Sequence, residues 1–65
     1  MSPRRLNETE RRDGVRQAVG PHPMPLDEIA RAAGLNPAQC SAVARELELA
    51  GEALSYPGGL LARAV

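Results

Sequence analysis

Apolar residues recur at helical spacing over three stretches of the chain and then give way to two short runs around a glycine-rich turn. In the first stretch Val15, Ala18 and Val19 fall at i, i+3 and i+4, a narrow stripe on one helix face. Asn7 followed three positions on by Glu10 has the form of a capping box, so a helix is predicted to begin near Glu8 and to end at Gly20-Pro21. Gly14 inside it lowers helix propensity by about 1 kcal/mol relative to alanine. The segment Gly20-Pro21-His22-Pro23-Met24-Pro25 is a connector, because its prolines remove donors and hold their preceding residues extended; one β-bridge is predicted near Met24. From about Leu26 to Ala33 a second helix is predicted, with Leu26, Ile29, Ala30 and Ala33 on one face and Asp27 and Glu28 in its electropositive first turn. Gly34 ends it as a left-handed cap, with Leu35 packing back.

Asn36-Pro37-Ala38-Gln39 combines an N-cap, a proline at the first helical position and a glutamine at the third, a strong start for the third helix. It is predicted to run to Ala50 and stop at Gly51, with Cys40, Val43, Ala44, Leu47 and Ala50 on its buried stripe. Only Leu35 and Asn36 separate the second and third helices, which forces a sharp corner of the helix-turn-helix kind. Ala53 to Tyr56 and Leu60 to Val65 then flank Pro57-Gly58-Gly59, a turn between two short runs that reads as a terminal β-hairpin. The predicted fold is therefore mainly α with a small β-hairpin: a winged helix-turn-helix of three helices plus a wing. It is expected over residues 8–65, with residues 1–7 as a flexible tail or linker remnant. Its predicted core is Val15, Val19, Leu26, Ile29, Leu35, Val43, Leu47 and Leu54.

Composition narrows the functional classes. At 65 residues and 6.9 kDa the chain holds one domain at most, which excludes a multidomain enzyme. Hydrophobic residues make up 43%, yet Tyr56 is the only aromatic, so the core has to be built from aliphatic side chains and alanines in close-packed helices. Apolar runs are far shorter than the roughly 20 residues that span a bilayer, and no signal-peptide pattern occurs; a soluble cytoplasmic chain without membrane partners is expected. Cys40 stands alone, so neither a disulfide nor a zinc site is predicted, and no cofactor is expected. His22 lies between two prolines and reads as a solvated loop histidine. No Ser-His-Asp set, phosphate loop or carboxylate pair can be assembled, since Glu46 and Glu48 diverge by about 200° on their helix. No catalytic residue is expected, and the chain reads as a non-enzyme.

The stretch from Gly20 to Leu35, then Glu46-Leu47-Glu48-Leu49-Ala50-Gly51 and Pro57-Gly58-Gly59, resembles the C-terminal winged-helix domain of the DNA-processing protein A family, DprA or Smf. The resemblance covers roughly residues 14–65. It implies a bacterial module that follows a Rossmann-like domain, and that domain binds single-stranded DNA, dimerises and helps load the recombinase RecA during natural transformation. These residues contain none of that domain, so the role of the module has to be argued from its own surfaces.

A DNA-reading winged helix presents Arg, Lys, Asn or Gln on its third helix and on its wing. Here the predicted outward face of the third helix is Ala38, Ser41, Ala42, Arg45 and Leu49, flanked by Glu46 and Glu48, and the turn Pro57-Gly58-Gly59 has no cation. Residues 24–65 hold three arginines against five acids, a net of −2, while residues 1–16 hold five arginines against three acids, a net of +2. Two readings follow. Ala38, Ala42, Arg45 and Leu49 form a partner surface for a protein or a neighbouring domain of a longer chain. Alternatively Arg11, Arg12, Arg16, Arg31, Arg45 and Arg63 make weak, salt-sensitive backbone contacts to single- or double-stranded DNA. Leu49 either packs under the wing or against the first helix, or stands exposed. Arg11, Arg12 and Arg16 are either a basic patch or a solvated face, with Glu8 pairing Arg12 one turn away. A free-standing transcription regulator would need a dimer interface and a basic recognition helix, and neither is visible.

Overall fold

The computed structural model describes residues 6–64. Three helices, α1 (Glu8–Ala18), α2 (Leu26–Ala33) and α3 (Pro37–Leu49), pack beside a sheet of three short strands, β1 (Met24–Pro25), β2 (Ala53–Tyr56) and β3 (Leu60–Arg63). Both predicted capping boxes form. The Asn7 side chain accepts from the Glu10 N–H at 2.8 Å while the Asn7 N–H donates to the Glu10 carboxylate at 3.0 Å. Asn36 and Gln39 repeat the arrangement at the start of α3, at 2.8 and 3.1 Å. Each box satisfies two donors that a bare helix start leaves without partners. The tail expected at residues 1–7 falls largely outside the described residues, and Asn7 within it belongs to the α1 cap.

The corner between α2 and α3 is made by Gly34, whose φ of 73° is open to glycine at no steric cost. Its N–H donates to the Arg31 carbonyl at 3.3 Å and the Leu35 N–H reaches back to the Ala30 carbonyl at 2.9 Å, a Schellman pair. Leu35 packs partly buried against the core, as does Leu26. At the far end, α1 stops at Ala18, two residues short of the Gly20-Pro21 breaker, and α3 stops at Leu49 with Ala50 as its cap. Ala50 is exposed, a correction to its predicted place on the buried stripe: lying past the last helical residue, it no longer follows the 100° rotation that would bring it inward.

The strand order is β1-β3-β2, antiparallel throughout. The bridge predicted near Met24 is the first strand, with Met24 opposite Leu61 and Pro25 opposite Leu60. β2 and β3 pair Ala53 with Arg63, Leu54 with Ala62, Ser55 with Leu61 and Tyr56 with Leu60 across the wing turn. β3 ends at Arg63. This register corrects the core assignment of Leu54. Ala53, 3% exposed, points inward, and since strand side chains alternate, Leu54 points out and is 50% exposed. The buried cluster is Val15, Val19, Ile29, Ala30, Cys40, Val43, Ala44, Leu47, Ala53 and Leu61, with Met24, Leu26, Ala33 and Leu35 packed against it.

Gly14 lies where α1 passes closest to α2. A Cβ placed on it would stand 3.5 Å from the Ala33 Cβ and 3.6 Å from the Ala33 carbonyl oxygen, so α1 and α2 cross in near backbone contact there. Those distances are ordinary van der Waals separations. Gly14→Ala should therefore recover helix propensity without a clash and raise stability by about 0.5–1 kcal/mol in urea unfolding followed by circular dichroism.

The core predicts a sharp contrast under the same measurement. Ile29 and Leu47 are 0% and 2% exposed, and truncating either to alanine should cost about 2–5 kcal/mol, enough to unfold so small a domain. Leu54→Ala, at a half-exposed outward position, should cost below about 1 kcal/mol.

Candidate functional site

α3 carries the surface that distinguishes the two sequence readings. Val43, Ala44, Leu47 and Cys40 turn one side of the helix into the core, which leaves Ala38, Ser41, Ala42, Arg45 and Leu49 exposed. Ala38, Ala42, Arg45 and Leu49 follow at i, i+4, i+7 and i+11 and so lie within an arc of about 60°. Leu49 is 84% exposed, the most exposed large apolar residue described. It neither packs under the wing nor against α1, because it sits in the last helical turn on the side opposite Leu47. Beside it runs a shallow groove of about 380 Å³ lined by Arg12, Arg16, Glu46, Leu47, Leu49, Ala50 and Glu52. The exposed face of α3 thus offers two small residues, one cation and one large aliphatic side chain.

The walls of that groove are ion pairs between α1 and the far end of the domain. The Arg12 guanidinium meets the Glu46 carboxylate at 3.3 Å, so Arg12 pairs across to α3 rather than with Glu8 one turn away. Arg16 donates to Glu52 through Nε at 2.7 Å and Nη2 at 3.1 Å, a two-point clamp, and to Asp13 at 3.0 Å. Two of the three arginines of α1 are thereby held by carboxylates. The third, Arg11, is half-buried against α3, and its Nε is buried without a hydrogen-bond partner.

The other arginines among the described residues stand on three different elements. Arg63, at the end of β3, donates to the Val19 carbonyl at 2.9 Å and, more weakly, to the Arg16 carbonyl at 3.5 Å, placing a cation at the C-terminal end of α1 where helix carbonyls lack partners. Arg31 on α2 and Arg45 on α3 are exposed, and among the described residues neither has an ion pair or a side-chain hydrogen bond. The wing turn Pro57-Gly58-Gly59 carries no charge, and Gly58 and Gly59 have φ of 90° and 73°.

Cys40 lies fully buried and its thiol points at the Leu26 carbonyl, 3.8 Å away. Burial pushes its pKa up, with the Asp27 charge adding to the effect, so the nucleophilic thiolate is suppressed. Among the described residues no three His, Cys, Asp or Glu side chains cluster as metal ligands. No helix of the described residues is long and apolar enough to cross a membrane.

Three helices with a helix-turn-helix corner and a β-hairpin after the third define a winged helix-turn-helix domain. The family model of the DprA winged helix domain matches residues 2–59, and the chain belongs to that family. A comparison with curated proteins finds no match.

Sequence reasoning found the α3 face from helical rotation alone but could not find the partners of Arg12, Arg16 and Arg63. Those contacts join residues 34 to 47 positions apart, beyond any local pattern. The Arg16 clamp has a pH signature. Hydrogen bonding to Arg16 holds the Glu52 carboxyl below its ordinary value of 4.5. A carboxylate with a depressed folded-state pKa stabilises above its unfolded value and loses that stabilisation as pH falls through the folded one. Glu52→Gln should therefore flatten the decline of melting temperature below about pH 4.5 relative to the parent chain, with the two curves parallel above it.

Proposed function

We propose that this chain is the accessory C-terminal winged-helix module of a DprA-like DNA-processing protein and acts mainly through protein–protein or interdomain contacts made by the outer face of α3. The observation that carries this reading is the chemistry of that face. Ala38, Ala42 and Leu49 offer apolar contact, Leu49 is 84% exposed, and Arg45 is the single cation among them. A helix that enters a DNA groove relies on several cationic or amide side chains to hold phosphates and read base edges. Ala38 and Ala42 have no polar group to contribute, Glu48 flanks the face with a charge that repels the backbone, and Glu46 on the other flank is paired with Arg12. An exposed leucine beside two alanines instead suits a packed partner, with Arg45 meeting a carboxylate at the rim.

In this reading the family's bacterial, cytoplasmic work in natural transformation, single-strand handling and recombinase loading belongs to the full-length protein, and the module is non-catalytic. Its partner is a protein or the neighbouring domain of the same chain. A second reading is weak, non-specific DNA binding, and one observation favours it: Arg31 and Arg45 are exposed cations with no partner among the described residues. In that reading the backbone contacts come from these two together with Arg11, Arg12, Arg16 and Arg63.

A nitrogen-15 chemical-shift titration separates the two. With short single- and double-stranded DNA, shifts are expected only around Arg11, Arg12 and Arg16 at low salt, vanishing at physiological salt. Shifts at Arg31, Arg45 and Arg63 that persist at physiological salt would sink the protein-contact reading. Added in trans, the Rossmann-like domain of the full-length protein is expected to perturb Ala38, Ala42, Arg45 and Leu49, and Leu49→Arg to weaken that binding by about tenfold or more, the effect typical of a central apolar anchor.

A further inference from the structure

The first strand of the wing, β2, lies at the edge of the sheet and has one side of its backbone unused. The Ala64 N–H donates to the Glu52 carbonyl at 3.0 Å, while on the other side of β3 the Leu26 N–H donates to Gly59 and the Arg63 N–H to Gly20, at 3.0 and 2.7 Å. In an antiparallel ladder these bonds alternate along the strand. Residues 60, 62 and 64 therefore face β2 and residues 59, 61 and 63 face β1. On β2 the residues bonded to β3 are Leu54 and Tyr56, together with the preceding Glu52; Ala53 and Ser55 direct their N–H and C=O groups away from the sheet. Ala53 is buried at 3% exposure, but Ser55 is exposed, and among the described residues nothing pairs with its outward backbone groups.

We propose that this edge pairs with the same edge of a second copy of the chain, antiparallel and centred on Ser55, to give a continuous six-stranded sheet. A two-fold axis through Ser55 lets each Ser55 N–H donate to the Ser55 carbonyl of the other copy. The same register sets Leu54 opposite Tyr56 of the other copy, twice, on the outer face of the sheet. Leu54 and Tyr56 are, besides Leu49, the large apolar residues left exposed among the described residues, at 50% and 37%. Aromatic–aliphatic pairs directly across an antiparallel ladder stabilise it, so the strand is its own complement.

The Leu54–Tyr56 match selects the second copy as the occupant, and charge does not oppose it. Residues 53–62, Ala-Leu-Ser-Tyr-Pro-Gly-Gly-Leu-Leu-Ala, carry no charge, so two identical edges meet without the like-charge repulsion that usually keeps such edges apart. The strand contains no lysine or proline, and its ladder with β3 runs without a bulge. This surface is separate from the α3 face, and the pairing stands whether or not that face takes a protein.

Sedimentation equilibrium of the 65-residue chain from about 10 μM to about 1 mM tests it, a range suited to so small an interface. The mean mass is expected to climb from 6.9 kDa towards twice that value. Over the same dilution series the fluorescence anisotropy of Tyr56, the only aromatic residue, should fall. Ser55→Pro removes a donor that points away from β3, and Leu54→Arg replaces the leucine of each crossing pair with a cation; each should weaken self-association by about tenfold or more. Circular dichroism melting accompanies both variants, and if Ser55→Pro unfolds, Leu54→Arg at its half-exposed position decides alone. A mass that stays at 6.9 kDa throughout overturns the proposal. So does self-association that survives a folded Leu54→Arg but is lost in Leu49→Arg, which would assign the contact to α3 instead.

Discussion

A core without aromatic side chains closes only if the elements around it come close together, and the rest of this domain follows from that constraint. Phenylalanine or tryptophan would hold helices apart and fill the space between them; here the filling is Val15, Val19, Ile29, Leu47 and Leu61 with alanines at Ala30, Ala44 and Ala53. Small residues at the crossings shorten the distance each aliphatic side chain has to reach. Gly14 against Ala33 is the extreme case, where α1 and α2 meet almost backbone to backbone. The Gly34 corner then fixes the path of α3 across them, and Ala53 lets β2 lie close beside the end of that helix. Close packing of this kind is intolerant of lost volume, because a truncated aliphatic residue has no large neighbour to relax into the gap.

The same compactness determines what becomes of the charges. α1 lies near enough to the end of α3 and the start of β2 for Arg12 and Arg16 to reach Glu46 and Glu52. A cluster that looks basic in one dimension is therefore largely neutralised in three. Exposed pairs such as these contribute little to stability individually. Their greater effect is on the surface, where they occupy the cations that a nucleic acid would need and leave the apolar strip of α3 bordered by carboxylate–guanidinium pairs. Arg63 is drawn to the carbonyl end of α1 by the same proximity.

Most of the element order was legible because its signals are local. A capping box, a proline at the first helical position and a left-handed glycine each act within four residues, and Asn7, Asn36 and Gly34 all do in the structure what their spacing implies. Leu54 was misread for a reason equally physical. A four-residue strand offers too few alternations to establish its own parity, and which face turns inward is decided by the hairpin register and by where α3 ends, not by which residue is larger. Ala53 takes the inward position although Leu54 would bury more apolar area. The outward face of α3 was legible because a helix pinned at Val43 and Leu47 has no freedom left in its rotation; the fate of the arginines was not, since their partners lie in other elements.

Leu54, misread as core, and Leu49, whose place the sequence left open, together describe a domain whose exposed apolar side chains are not scattered. Leu49 closes the strip on α3, and Leu54 and Tyr56 lie on the wing, on the far side of the β2 edge from the helices. In a chain this short of large apolar residues, leaving Leu49 outside forgoes most of the burial worth about 1.5–3 kcal/mol for such a side chain, and half-exposed Leu54 forgoes about half of it. A domain near the lower size limit for folding has little stability to forgo. That argues for surfaces completed by contact with other protein rather than for incidental exposure, and it directs attention to the α3 face and the wing edge ahead of the dispersed arginines.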